Sequence, residues 1–173
     1  MTTRPCIRPW RADDLESLVR HANNKAIWLN LRDRFPHPYT RTDGEEFLDR
    51  AASMEPHIFF AIDHEGEAVG GIGVVPNDDI ERICGELGYW VGEEHWGKGL
   101  ATAAAREMTD YCFNILKLHR VWASPFSRNL ASIRVLEKLG YRHEGTLVES
   151  AIKAGRLESM EILAITAPEW NPS

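Results

Sequence analysis

Apolar residues change their spacing several times along this 173-residue chain, and each change marks an element. "RPCIRPW" is strand-like, and "RADDLESLVRHAN" then sets Leu15, Leu18, Val19 and Ala22 on one helical face, with Asp13 and Glu16 spaced as a capping box. "WLNLRDRFPHPYT" carries two prolines, three aromatics and alternating charges, which interrupts the helical pattern and predicts a connecting loop. Thr42 and Glu45 repeat the capping spacing ahead of Phe47, Leu48 and Ala51, predicting a helix over roughly 43–53.

"HIFFAID", the turn "HEGE" and "EAVGGIGVV" predict a hairpin, because β-branched and aromatic runs flank a turn containing glycine. "ICGELGYWV" is a further strand. From Leu100 the positions Ala104, Met108, Tyr111, Cys112 and Ile115 keep helical spacing, and "HRVWAS" after them is a short strand. Asn129 is placed to cap a helix carrying Ile133, Leu136 and Leu139, with Gly140 at its left-handed stop. Two last strands, about 141–152 and 157–166, are joined by "KAGR". Strand, two helices, three strands, helix, strand, helix and a strand pair call for a mixed sheet covered on both faces.

Length and composition sharpen this to one domain over 1–173: the chain is long enough for a single core, with 43% apolar and 27% charged residues and no low-complexity stretch. A net charge of -6 argues against a nucleic-acid partner, whose phosphates need clustered Lys and Arg, and suits a cationic substrate. Cys6, Cys84 and Cys112 are odd in number and far apart, which suggests neither a disulfide framework nor a zinc site and fits a reducing cytoplasm. No apolar run has signal-peptide or membrane-span length, so a cytoplasmic protein without a membrane partner is expected. The seven histidines contain no H-x-H or H-x-x-x-H pair, so no metal is assigned.

The chemistry is concentrated in "GEEHWGKGLAT". Gly92, Gly97 and Lys98 fit G-x-x-x-x-G-K, and Gly99 stands where a P-loop needs Ser or Thr. A Gly-rich turn from strand into helix creates an anion site, since free N-terminal amides and the helix dipole both point at the ligand. A nucleotide P-loop, another phosphate cradle and a plain tight turn all fit that geometry. Against the P-loop, Gly99 removes the hydroxyl that holds magnesium, Thr102 comes three residues late, and Glu93 and Glu94 add negative charge. A cradle for a diphosphate needs no metal: the amides from Trp96 through Gly97, Lys98, Gly99, Leu100 and Ala101 to Thr102 bind oxygens and Lys98 adds charge.

"WGKGLA" resembles the signature Q/R-x-x-G-x-G/A of the GNAT acetyltransferase superfamily; Gly99 and Ala101 match and Trp96 departs. With "GELGYWVGEE", "NLASIRVLEKLGYRHEGTL", "IRPWRADDLESL" and "LAITAPEW", the chain from about Arg4 to Trp170 is similar to the RimJ/RimL-type N-acetyltransferases. The resemblance implies an α+β, three-layer α/β/α fold whose mixed, mostly antiparallel seven-stranded sheet is flanked by about four helices. It implies an acyltransferase that moves the acetyl group of acetyl-CoA to a primary amine, on a protein N-terminus or a small molecule, by direct attack in a ternary complex.

Residue by residue, the resemblance lays the pantetheine arm along the main chain of Trp90 and Val91, with sheet packing an equally good use of the Trp90 side chain. It brings Asn129 and Ser132 beside coenzyme A, where Asn129 also serves as an N-cap. Arg134 and Lys138 are in reach of the nucleotide end, although exposed helical cations are usually solvated. An attacking amine must lose its proton, and Glu86 holds the place of a catalytic Glu in the superfamily; a paired surface carboxylate is its rival reading. Amides near Val91 suit the thioester oxygen. The tyrosine acid common in the superfamily falls at Leu136, which leaves Ser132 as a modest donor to the thiolate. Trp28, Arg32, Phe35, His37 and Tyr39, in the loop after the first helix, are expected either to shape the acceptor pocket or to pack as a lid. Two other functions remain open from the sequence: a catalytically weak coenzyme A sensor or partner-binding module, and a P-loop-like nucleotide phosphohydrolase. A homodimer is compatible with the sequence, which shows no apolar stripe to decide it.

Overall fold

The computed structural model describes residues 6–171, so Arg4 and Pro5 of the opening stretch lie outside the described residues. Seven strands form one open sheet in the order β1-β2-β3-β4-β5-β7-β6. In chain order they are β1 (Ile7–Pro9), β2 (Phe59–His64), β3 (Glu67–Pro76), β4 (Cys84–Val91), β5 (Arg120–Ala123), β6 (Arg142–Lys153) and β7 (Arg156–Thr166). All neighbours run antiparallel except β4 and β5, which are parallel. The helices are α1 (Leu15–Ala22), α2 (Lys25–Trp28), α3 (Arg41–Ala52), α4 (Leu100–Asn114) and α5 (Leu130–Lys138).

Strand alternation splits the core between the two faces. Leu87 and Val91 of β4 join Met108, Cys112 and Leu136 in the larger core under α4 and α5. Leu18, Ala22 and Leu48 form a smaller core with Trp90 against it, under α1 and α3. This is the expected three-layer, mixed and mostly antiparallel arrangement, with five helices rather than about four. The additional one, α2, falls at the start of what the sequence presents as loop: Asn24 Oδ1 accepts from the amides of Ala26 and Ile27, at 2.8 and 3.1 Å, and caps a single turn too short for periodicity to register.

Both expected capping boxes are displaced. Helix α3 starts two residues early, because Thr40, two residues past Pro38, exchanges bonds with Asp43: Thr40 N–H donates to Asp43 Oδ2 at 2.7 Å and Asp43 N–H to Thr40 Oγ1 at 3.3 Å. Ahead of α1 it is Asp14, not Asp13, that accepts from the Arg11 amide, at 2.8 Å, across a short 3-10 turn.

Candidate active site

The sheet opens at its centre. β4 and β5 are paired only from Cys84↔Arg120 to Glu86↔Trp122, while β4 stays paired with β3 as far as Gly70↔Val91. Gly92 N–H donates to Val69 O at 2.7 Å on the β3 side. By the two-residue alternation of a strand, the main-chain groups of Tyr89 and Val91 therefore face the gap where β5 has departed. A cleft of about 910 Å³ occupies that gap, running from Ile27 and Arg32 past Glu86–Val91 to Gly97, Gly99–Thr102, Asn129 and Lys138.

At one end lies the Gly-rich turn. Gly97 and Gly99 have φ of 76° and 78°, a left-handed conformation that favours glycine, and a Cβ on either would meet nothing within 4 Å. The first helical bond runs from Ala103 N–H to Gly99 O at 3.1 Å, so the amides of Leu100, Ala101 and Thr102 have no helical carbonyl ahead of them. Trp96 is bonded to the strand: its indole N–H donates to Val91 O at 2.7 Å. That takes the Val91 carbonyl and leaves its N–H to face a substrate. Lys98 stands outside the cleft lining, with Nζ 3.3 Å from His95 Nδ1. Arg134 and Lys138 do line it.

The start of α5 forms the opposite wall. Asn129 Oδ1 accepts from Ser132 N–H at 3.2 Å, which makes Asn129 the N-cap and sets Ser132 on the cleft. Ser132 Oγ is 2.8 Å from the hydroxyl of Tyr89. Burial pushes the Tyr89 phenol up to about 12, opposed only by its bond to Ser132. Sequence reasoning missed Tyr89, which lies 43 positions from Ser132 and whose outline is that of an ordinary sheet aromatic. Leu136 is fully buried.

At the acceptor end Glu86 Oε1 accepts from Arg32 Nη2 at 2.6 Å and from Ser124 Oγ at 2.8 Å, and Arg32 Nη2 also donates to Ser124 Oγ at 2.8 Å. Glu86 thus lines the cleft and is at the same time a paired carboxylate. Arg32 lines the cleft too, whereas the other four residues expected at the acceptor do not. Tyr39 is 5% exposed and packs on Phe35, whose ring in turn meets Trp90 at 5.7 Å; these two fill the smaller core beneath the loop. Trp28 and His37 stack at 5.7 Å and line a separate hollow with Asp33 and Ile152. Proline-stiffened packing accounts for these four positions, and Ile27, Asn30 and Leu31 line the cleft in their place.

Residues 4–142 match the family model described as an acetyltransferase (GNAT) domain. The chain belongs to the GNAT acetyltransferase family. Among GNAT relatives, the uncharacterized N-acetyltransferase p20 of Bacillus licheniformis is 35% identical over 171 residues, 98% of this chain and 96% of that one. Spermidine N(1)-acetyltransferase of Escherichia coli (strain K12) is 29% identical over 148 residues, 82% and 75% of the two chains. The match to YjcK of Bacillus subtilis, 43% over 83 residues, spans about half of each protein, 48% of this one and 46% of that one. RimJ of Mycobacterium smegmatis, solved in complex with CoA-disulfide, superposes with a TM-score of 0.81 at 28% identity over 94% of this chain and 82% of that one. This GNAT chain is accordingly an acyltransferase. No helix among the described residues is long and apolar enough to cross a membrane.

Proposed function

We propose that this GNAT enzyme transfers the acetyl group of acetyl-CoA to the terminal amine of a peptide or protein. The observation that carries the reading is the gap between β4 and β5, with strand main chain on one side, the glycine-led amides of α4 at one end and Glu86 at the other. The amides of Gly99–Thr102 hold the pyrophosphate, the Tyr89 and Val91 main chain holds the pantetheine amides, and Asn129 and Ser132 close the opposite side. Lys98 contributes long-range charge rather than a lining contact. The chemistry needs no metal.

The amine nitrogen attacks the thioester carbonyl carbon in the ternary complex. Glu86 takes the amine proton directly or through a water; Arg32 and Ser124 already hold Oε1, so Oε2 is the receiving atom. The Tyr89 N–H, the next gap-facing amide toward Glu86, stabilises the oxygen as it gains charge, while the Val91 N–H and the Tyr89 carbonyl serve the pantetheine. The C–S bond breaks, and the sulfur takes a proton from Ser132 Oγ, which Tyr89 resupplies through their shared hydrogen bond; the phenolate regains its proton from water by the same path once coenzyme A has left the cleft.

Charge selects the acceptor class. Glu86 is the only carboxylate lining the cleft among the described residues, while Arg32, Arg128, Arg134 and Lys138 all line it. A polyamine would meet a single carboxylate at the acceptor end, already paired with Arg32, whereas a peptide brings one amine followed by carbonyls that the Arg32 guanidinium can bond. The walls come from a single chain, so this reading needs no second copy.

Isothermal titration should show acetyl-CoA binding without magnesium and ATP failing to bind tightly with it; the reverse would overturn the assignment. Thiol release should then be faster with N-terminal peptides than with spermidine. Glu86→Gln should lower kcat by about 10²-fold or more with acetyl-CoA affinity nearly unchanged. Equal turnover of the variant across pH would remove Glu86 as base.

A further inference from the structure

Behind the Gly-rich turn, on the α1 side, three side chains from two distant segments converge. His21 of α1 is 4% exposed and packs so tightly on the turn that a Cβ at Gly92 would fall 2.6 Å from its Nδ1. Its Nε2 is 2.7 Å from Glu67 Oε1 on β3. A carboxylate only accepts, so this contact places the ring proton on Nε2. Arg20, itself bonded to Glu67, lies 3.3 Å from the same Nε2 and, being a donor, serves the carboxylate rather than the ring. The His21 N–H is the foremost influence holding the Glu67 carboxyl below its usual range, with the Arg20 charge acting in the same direction.

That assignment leaves the lone pair of His21 Nδ1 facing another acceptor, Glu94 Oε1, at 3.3 Å. Two lone pairs confront each other beside a buried ring, an arrangement that a cation between them would relieve. His95 Nε2 lies 3.8 Å from the same Glu94 oxygen, and the three atoms are all within 4.8 Å of one another. Ligand arms of about 2.0–2.2 Å in a tetrahedron separate neighbouring donors by roughly 3.3–3.5 Å. Glu94, with a side chain 65% exposed, has room to close the remaining gap.

We propose that His21 Nδ1, Glu94 Oε1 and His95 Nε2 bind a divalent transition-metal ion, with zinc the best fit to two imidazoles and a carboxylate. Glu67 orients His21 from behind, as carboxylates do for zinc-bound histidines. Lys98 Nζ, 3.3 Å from His95 Nδ1, can only donate there, so ligation through Nε2 moves the ring proton to Nδ1 and turns the exposed Lys98 side chain away. A bound ion would tie α1 to the 3-10 turn Glu93–His95, which leads straight into Trp96 and the phosphate-facing glycines. Its role is to brace the cradle, and it is independent of the transfer chemistry. The one-face histidine spacing that argued against a metal could not register this set, because its members arrive from α1 and from the turn after β4.

Equilibrium dialysis of the full chain against zinc, with metal analysis and urea unfolding in parallel, tests this. Wild type should retain one zinc per chain and unfold at a higher urea midpoint with zinc than with chelator, and the cobalt form should show tetrahedral visible bands. Glu94→Gln, at an exposed position that leaves the His21 packing intact, and His95→Ala, which also gives up the ring contact with His21 at 5.3 Å, should weaken zinc affinity at least about 100-fold, and Glu67→Gln about 10- to 100-fold. No retained zinc in wild type, which would mean that a proton alone fills the gap, overturns the proposal. Equal retention by His95→Ala and Glu94→Gln, which would place the ion at other histidines, overturns it too.

Discussion

At the scale of single residues, the proposed transfer takes its acid from outside the superfamily's tyrosine position. Leu136 fills the superfamily tyrosine position with a fully buried aliphatic, while Tyr89 comes from the facing strand to within 2.8 Å of Ser132 Oγ. Because burial raises the phenol to about 12, Tyr89 stays protonated as a donor across ordinary assay conditions. Its group loses a proton only as pH rises toward that value, so kcat should show no alkaline limb from Tyr89 between about pH 6 and pH 10. Tyr89→Phe should lower kcat about 10-fold and leave the acetyl-CoA dissociation constant within about 2-fold, because a thiolate is a good leaving group that needs only modest help. Ser132→Ala should cost about as much, and the double variant little more than either alone, since both act on one proton. Additive losses would show that the two hydroxyls serve separate steps.

Elements decide how much of this could be read in advance. The turn and cap on which the proposed cofactor contacts rest were legible because they are local in sequence: glycines at positive φ, a helix start and an N-cap three residues ahead of Ser132 follow rules that act over a few positions. The acceptor half was not, because it is built by long-range closure. Arg32 and Glu86 are 54 positions apart, and the loop residues chosen for aromatic character turned inward, since Tyr39 and Phe35 gain more by burial beside Trp90 than by lining a wet cleft. The loop from α2 to α3 is pinned by cations from the far half of the sheet. Lys153 Nζ, 2% exposed, sits 3.8 Å from the centre of the Trp28 ring and 2.7 Å from Asp33, and Arg128 donates to Leu29 O and Asn30 Oδ1 at 2.6 and 2.7 Å. Lys153→Met should keep the packing but lose the buried cation–π contact, costing about 2 kcal/mol in urea unfolding. It should raise KM for the acceptor amine more than it changes acetyl-CoA affinity, because the cradle is on the other face. An equal loss of both affinities would mean that the loop and the cradle move together.

For the whole molecule, the acceptor wall is only as fixed as the layer of α1, α2 and α3, and Arg8 is the most buried arginine tying that layer to the sheet, beside the Arg20–Glu67 pair. It stands on β1, at the sheet edge, and reaches in two directions: Nη1 and Nη2 grip Asp14 at 2.7 and 2.8 Å where α1 begins, and Nε meets Asp63 of β2 at 2.7 Å. Both carboxylates are buried, with side chains 7% and 4% exposed, and Arg8 itself is 11% exposed. The bond to Asp14 is the foremost cause of a guanidinium held even more firmly charged than usual. Removing the shared cation leaves negative charge with little water around it, and that cost exceeds whatever the intact pair contributes over an apolar substitute. Arg8→Met should therefore lose about 3–5 kcal/mol, a large part of the 5–15 kcal/mol typical of a domain, through a lower urea midpoint at an unchanged slope. Charge should decide this more than volume, so Arg8→Lys should recover part of the loss and Asp14→Asn in the Arg8→Met background should recover some as well, by deleting one stranded carboxylate. A loss below about 1 kcal/mol for Arg8→Met, the scale of an exposed pair, would show that Leu18 and Ala22 hold the layer to the sheet by apolar packing alone.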